Sequence, residues 1–286
     1  MTRSRKASHG RPTPPARLFL IGSAASEAMS PRVWNPVLRR LGIPWAYEAW
    51  DVPPQGGMDR VRNRLREPDI IAANVTMPHK HWAAEAADEA TEEVRLSGAC
   101  NMLLRKGTAL IGHNTDVTAV RALLGGGHQR HALLMGAGGA ARAALIALRG
   151  QAGTVTITDR DPRATAELFS LAGEFGMDAR SVGWEQAPGL AAEASLIVNA
   201  TPIGKGRSDQ PVWGEGPLAA DALVYDFVYA GHVTGSIARA RELGARAVDG
   251  WDHLREQAVA MVPLLGLGGR ANSLLAETLE QLRDAH

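Results

Sequence analysis

The 286-residue chain carries 31 Lys+Arg against 30 Asp+Glu, a formal net charge of +1, with 45% hydrophobic and 21% charged residues. This is ordinary globular usage and excludes a disordered polyelectrolyte; the balanced charge speaks against a nucleic-acid or membrane-surface binder, which needs a basic excess. A single cysteine, Cys100, excludes an intramolecular disulfide and a cysteine-based zinc site, and no apolar run reaches the roughly 18 residues needed to span a bilayer.

The first segment, Met1 to Arg17, is rich in Arg, Ser and Pro and lacks the apolar centre of a secretory signal. Residues 1–16 read as a disordered tail. A mitochondrial presequence is the alternative, disfavoured because Pro12, Pro14 and Pro15 oppose a helix. The expected setting is the reducing cytoplasm. Short apolar runs of β type then alternate with Ala-rich helical stretches. Strands are expected at Arg17–Ile21, Ile70–Val75, Ala132–Met135, Thr154–Thr158, Leu196–Asn199, Leu223–Phe227 and Arg246–Val248. Helices are expected at Pro31–Leu41, Lys80–Asp88, Ala140–Leu148, Pro162–Phe175, Gly235–Leu243 and Trp251–Leu264. The alternation predicts an α/β protein with parallel sheets covered by helices on both faces. The length suits two domains, and the Gly125-Gly126-Gly127 break places a boundary near residues 117–130. A last helix, Ala271–Asp284, has no strand after it and reads as a lid or brace.

The segment His131 to Arg142 reads strand, tight turn, helix around Gly136-Ala137-Gly138-Gly139-Ala140. Glycines let the chain turn sharply and approach a pyrophosphate, and a helix beginning there offers free N–H groups and the positive end of its dipole. A dinucleotide site is the functional reading; a glycine turn without a ligand is the bland one. Asp159 lies 23 residues after Gly136, where an acidic residue would hold ribose hydroxyls. Its carboxylate opposes a ribose 2′-phosphate and so favours NAD. The neighbouring Arg160 would suit that phosphate and keeps NADP possible. Alternatively, Asp159 and Asp161 only cap the next turn.

Two polar segments in the first half exceed what a bland fold requires. Asn74-Val-Thr76-Met-Pro78-His-Lys80 follows an apolar strand, and Gly112-His-Asn114-Thr115-Asp116 follows the short run Ala109–Ile111. Strand carboxyl edges are where α/β ligand sites lie. A Lys and an Asp meeting there make an acid–base pair, whereas each alone reads as a solvated loop residue. Free Lys titrates near 10.4, so proton exchange near neutrality asks for partial desolvation. Cys100 reads as a small core residue, and His79 and His113 as packing or surface residues. No His, Asp and Glu cluster has metal-ligand spacing, so no metal is expected.

These segments carry a family resemblance. Asn74-Val-Thr-Met-Pro-His-Lys80 resembles the shikimate dehydrogenase signature N-V-T-x-P-x-K, Gly98-Ala-Cys-Asn101 its G-A-x-N, and Gly112-His-Asn-Thr-Asp116 its G-x-N-T-D. The glycine loop, Asn199-Ala-Thr201-Pro-Ile-Gly204, Tyr225-Asp226-Phe-Val-Tyr229 and Asp249-Gly250…Gln257-Ala258 resemble its later motifs, in the family's order. The resemblance implies an N-terminal α/β substrate domain, residues 17–117 with 251–286, and a Rossmann dinucleotide-binding domain, residues 118–250, with a cleft between them. It implies reversible hydride transfer between a nicotinamide and a ring secondary alcohol of shikimate, quinate or a related hydroxylated ring acid, as in aromatic amino acid biosynthesis. Lys80 would transfer the proton with Asp116 as its partner. Ser30, Thr76, Asn101, Tyr229 and Gln257 would hold the substrate. Gly136, Ala137, Gly138, Gly139, Ala140, Asp159, Arg160, Thr201 and Gly250 would hold the cofactor, NAD or else NADP. The protein would act as a monomer or homodimer on this small molecule, with no nucleic-acid or membrane partner.

The chain also departs from the pattern. Where the family has G-x-P-x-x-H-S-x-S-P, this sequence has Gly22 to Pro31 with Glu27 for the His and Ala28 for the first Ser. Met102 replaces a usual Thr, Val117 a usual Gly, and Asp159 the usual Asn of an N-R-T phosphate clamp. The expectation is an edited substrate end beside an intact Lys–Asp pair, hence a preferred ligand other than shikimate. A non-catalytic nucleotide or ligand sensor is the alternative, against which the retained Lys80 and Asp116 speak.

Overall fold

The computed structural model describes residues 16–206 and 210–285. The tail expected over 1–16 therefore lies outside the described residues, Ala16 apart. The strands are β1 (Arg17–Gly22), β2 (Ala46–Asp51), β3 (Ile70–Val75), β4 (Glu89–Ala90), β5 (Met102–Lys106), β6 (Ala109–His113), β7 (Gln129–Met135), β8 (Ala152–Thr158), β9 (Asp178–Ser181), β10 (Leu196–Asn199), β11 (Leu223–Asp226) and β12 (Arg246–Val248). The helices are α1 (Ser30–Leu41), α2 (Met58–Leu65), α3 (Lys80–Ala86), α4 (Glu92–Ser97), α5 (Thr115–Leu124), α6 (Gly139–Leu148), α7 (Pro162–Glu174), α8 (Ala187–Leu190), α9 (Gly235–Glu242), α10 (Gly250–Leu264) and α11 (Arg270–Asp284).

They form two six-stranded sheets, ordered β2-β1-β3-β5-β6-β4 and β12-β11-β10-β7-β8-β9. All neighbours in the second sheet run parallel. Its order steps outward from β7 to both sides, the doubly wound arrangement that leaves a crevice at the strand carboxyl ends. The first sheet corrects the expectation of purely parallel strands. β5 runs antiparallel to both β3 and β6. The cause is local: only Gly107 and Thr108 separate β5 from β6, and Gly107 has φ of +65°. So short a link makes a hairpin; a parallel crossover needs a dozen or more residues.

α10 and α11 follow the last strand and return to the first sheet. Trp251, Leu254, Ala258, Met261 and Val262 of α10 join Leu274, Leu275 and Leu279 of α11 in a core shared with α1 and the strands β1 to β3. The last helix is thus a brace, buried along one face. α5 runs unbroken through residue 118 and packs against both α6 and α10, so it stands where the two halves meet.

Gly22 ends β1 against the turn that follows β3. A Cβ built there would lie 2.4 Å from Thr76 Cγ2. Gly22→Ala is expected to cost about 1–3 kcal/mol in urea-denaturation free energy, the usual penalty for overpacking. Adding Thr76→Ser, which deletes the clashing methyl, is expected to recover most of it. Equal destabilisation of single and double variants would show that another contact sets the cost.

Candidate active site

The chain leaving β3 is fixed by Thr76 N donating to Ile21 O at 2.8 Å and His79 N to Thr76 O at 3.0 Å. His79 is buried, with Nε2 2.8 Å from Val52 O. Lys80 therefore begins α3 from an anchored turn. Asp116 is placed by a second lock. Asn114 caps α5, its Oδ1 accepting from Asp116 N and Val117 N, while its Nδ2 donates to Ser97 Oγ and Ala99 O at 3.1 Å each. Asn101 Oδ1 accepts Thr115 N at 2.8 Å, and Asn101 Nδ2 donates to Thr115 Oγ1 at 2.9 Å. A side-chain cap at this point fixes where the first helical turn begins, and so where Asp116 projects.

Lys80 Nζ donates to Asp116 Oδ2 at 2.7 Å. The other oxygen, Oδ1, accepts from Gln257 Nε2 at 2.5 Å and lies 3.2 Å from His253 Nε2. The Asp116 side chain is only 6% exposed, against 22% for Lys80. Burial alone would raise its carboxyl, but the Lys80 charge and the hydrogen bonds from His253 and Lys80 hold it well below the usual carboxylate range. A buried ion pair survives only when the remaining lone pairs are satisfied, and here both oxygens are. The ammonium keeps a partly open side toward solvent, so the arrangement can exchange a proton with a ligand while its counter-ion stays ionised.

The other predicted ligand-side residues are distributed around this pair. Gln257 is on Asp116, and Asn101 holds the start of α5 through Oδ1 and one Nδ2 hydrogen. Thr76 is half-buried beside Gly22. Ser30 opens α1 and hydrogen-bonds Tyr47, whose hydroxyl donates to Asn74 Oδ1 at 2.5 Å. Tyr229 is 39% exposed, its ring edge-on to Trp251. Two of the departures expected at the substrate end face the core instead of a pocket: Met102 and Val117 are fully buried in apolar clusters. Only Glu27, exposed, and Ala28, half-buried, remain as changes at the rim. Cys100 is buried, which pushes its thiol up to about 11, as suits an inert core residue.

The glycine loop brings several predicted cofactor residues together. Gly136 has φ of +107°, and a Cβ there would fall 2.7 Å from Ala200 O, next to the Thr201 methyl. Thr201 is fixed by Asn199, its hydroxyl donating to Asn199 Oδ1 at 2.7 Å. Ala137 N donates to Asp159 Oδ2 at 2.8 Å, and Asp161 N to Asp159 Oδ1 at 2.8 Å. Gly138 and Gly139 face open space, where an added Cβ would meet nothing within 4 Å. α6, which continues through Ala140, has no side-chain cap. Unclaimed N–H groups beside open space fit a pyrophosphate. Gly250 packs against the chain leaving β11, its missing Cβ admitting the Val228–Tyr229 backbone. Arg160 is exposed beside Asp159.

Sequence reasoning missed His253 and Tyr225. His253 Nδ1 is 2.7 Å from the Tyr225 hydroxyl, and the ring lies 4.7 Å from that of Phe227. The available signal was spacing: His253 and Gln257 are four residues apart on α10, hence on one face.

Residues 20–103 match the family model described as the shikimate dehydrogenase substrate binding domain. A shikimate dehydrogenase (NADP(+)) of Rhodopseudomonas palustris strain HaA2 is 38% identical over 246 residues, 84% of this chain and 86% of that protein. The Salinibacter ruber shikimate dehydrogenase (NADP(+)) is 35% identical, covering 84% and 88%. The crystal structure of shikimate 5-dehydrogenase from Thermus thermophilus, in complex with NADP(H) and shikimate, superposes with a TM-score of 0.75 at 29% identity, covering 92% of this chain and 99% of that one.

The Asp116 environment fixes a pH dependence. Because its folded carboxyl titrates below an unfolded value of about 3.9, its contribution is fully present well above pH 4 and is lost as pH falls toward the folded value. Asp116→Asn has no such term. Its stability relative to the unchanged protein is expected to hold constant from about pH 6 to about pH 5 and then to improve as urea midpoints are followed down to about pH 3. A constant difference across that range would contradict the assigned direction.

Proposed function

From the premise that this chain belongs to the shikimate dehydrogenase family and is a nicotinamide-dependent oxidoreductase, we propose that it interconverts a ring secondary alcohol and its ketone on a hydroxylated ring acid of the shikimate and quinate class. The observation that carries this is the 2.7 Å contact between Lys80 and a buried, fully satisfied Asp116. Residues 17–117 with 251–286 would form the substrate half, and residues 118–250 the nucleotide half. Gly136, Ala137, Gly138, Gly139 and Ala140 would cradle the pyrophosphate, with Thr201 lining the turn and Asp159 meeting the ribose. When bound there, the nicotinamide supplies or accepts the hydride.

Lys80 takes the proton from the alcohol oxygen as the neutral amine in oxidation and, as the ammonium, gives a proton to the carbonyl oxygen in reduction. Asp116 aims the ammonium and stays ionised throughout. Thr76, Ser30, Asn101, Tyr229 and Gln257 would hold ring hydroxyls or the carboxylate, Asn101 also fixing the start of α5. At the rim, Ala28 offers no hydroxyl where the family pattern has one. One hydrogen bond to a charged group is worth about 1.5–3 kcal/mol, so shikimate itself would be held weakly and a differently substituted ring acid preferred.

The nucleotide proposed is NAD, although the relatives named above are NADP(+) enzymes. Asp159 is fixed by two backbone donors, so its charge cannot swing away. A ribose phosphate about 4 Å from it would cost about 1–4 kcal/mol at dielectrics between water and a protein surface.

Lys80→Ala is expected to lower kcat about 10²- to 10⁴-fold with KM within about threefold, assayed with shikimate, quinate and amino-substituted analogues against both nucleotides. Full activity in that variant would end the proton-transfer assignment. For the nucleotide, kcat/KM is expected to favour NAD, and Asp159→Asn, which removes the charge while keeping an acceptor for Ala137 N, is expected to narrow the ratio about tenfold or more. A preference for NADP in the unchanged enzyme would show that Arg160 outweighs Asp159.

A further inference from the structure

Four polar groups form one continuous chain across the junction of the two sheets: Tyr225 of β11, His253 of α10, Asp116 of α5 and Lys80 of α3. Tyr225 is fully buried and His253 is 8% exposed. Donor and acceptor counting fixes the tautomer. Asp116, ionised, can only accept, so His253 must present Nε2–H to it. In the neutral imidazole Nδ1 then carries a lone pair, and the Tyr225 hydroxyl donates to it. In this arrangement the buried members, Tyr225, His253 and Asp116, each have a partner, which is the condition for a buried polar network to rigidify its site.

We infer that His253 is a positioning residue for the proton-transfer step: held by Tyr225, it fixes Asp116 Oδ1 so that Oδ2 faces Lys80, and thereby ties the Lys80–Asp116 pair to the nucleotide-binding sheet. The inference rests on the reading of Lys80 given above. Gln257 holds the same oxygen from the same helix face, but only His253 continues into the second sheet. The chain ends in the core at Tyr225, so it does not lead a proton to solvent. Its consequence is geometric: the group that moves the proton and the strand that helps shape the nucleotide half keep one register.

Amide side chains separate the two halves of the contact. His253→Gln keeps a donor near the Nε2 position, whereas His253→Asn keeps an acceptor for Tyr225 but reaches Asp116 poorly. His253→Asn is expected to lower kcat about 10- to 100-fold, the weight of one hydrogen bond to a charged group, with both KM values unchanged within about twofold. His253→Gln is expected to recover most of that loss. Tyr225→Phe is expected to lower kcat less and to add nothing when combined with His253→Asn, since it acts through the imidazole. Independently of turnover, 15N shifts of the imidazole are expected to report the Nε2–H tautomer in the unchanged protein and to move in Tyr225→Phe. A normal kcat in His253→Asn, an equal loss in Asn and Gln variants, or an Nδ1–H tautomer would each overturn the inference. Lys80→Ala, run beside them, separates failures: if it stays active the proton-transfer reading falls, whereas if it is inactive and the His253 variants are normal, only the role of His253 falls.

Discussion

A carboxylate withdrawn from water must be met by donors or it takes up a proton. Much of the architecture around the site is the answer to that demand at Asp116. Its side chain is almost wholly buried, and three side chains converge on it: Lys80 on one oxygen, Gln257 and His253 on the other. Each comes from a different stretch of sequence or a different turn of helix, so the site exists only when α3, α5 and α10 are docked together. The first sheet places α3 and α5. The C-terminal helices, returning across α1, place α10. Stability of the fold and ionisation of the site are in this sense one constraint.

The residues nearest the chemistry were legible because local rules place them. Lys80 follows a strand and a proline turn; Asp116 follows a strand and an Asn cap. Both positions can be read as strand carboxyl edges without knowing the fold, and the family motifs add which two edges meet. The glycine loop was legible for the same reason. What escaped depended on distance in sequence. The antiparallel β5 was hidden because Met102–Lys106 is short, mixed in polarity and defined mainly by its hairpin with β6. His253 was hidden because its partners lie 28 and 137 residues away. Its four-residue spacing from Gln257 is the local sign that sets it apart from a surface histidine on an amphipathic helix. Met102 and Val117 looked like pocket substitutions for the opposite reason: they adjoin motif residues in sequence but turn into the core.

Asp159 shows that a structural and a functional reading of one residue need not compete. Its two oxygens accept from Ala137 N in the glycine loop and Asp161 N in the next turn, so the capping role is real. Each carboxylate oxygen has a second lone pair, which leaves acceptors for ribose hydroxyls. The capping bonds make the charge rigid, and on the proposed function a rigid charge would discriminate between nucleotides better than a mobile one, because it cannot relax away from a phosphate.

The locks on Asp116 also explain how the rim of the site can change without loss of the proton machinery. Asn114 and Asn101 act within the first half through Ser97, Ala99 and Thr115; His253 and Gln257 act from α10. None of these side chains is bonded to Glu27 or Ala28, whose neighbour Ser26 is bonded to Asp51 at the end of β2. On the proposed function, substitutions at Glu27 and Ala28 would therefore alter what can dock beside Lys80 while leaving the direction of its ammonium fixed. On the same reading, that separation is the physical basis on which one acid–base pair could be carried to new ring substrates, with specificity residing in the β1–α1 and β2 edges and proton transfer at the α3–α5 contact of Lys80 with Asp116.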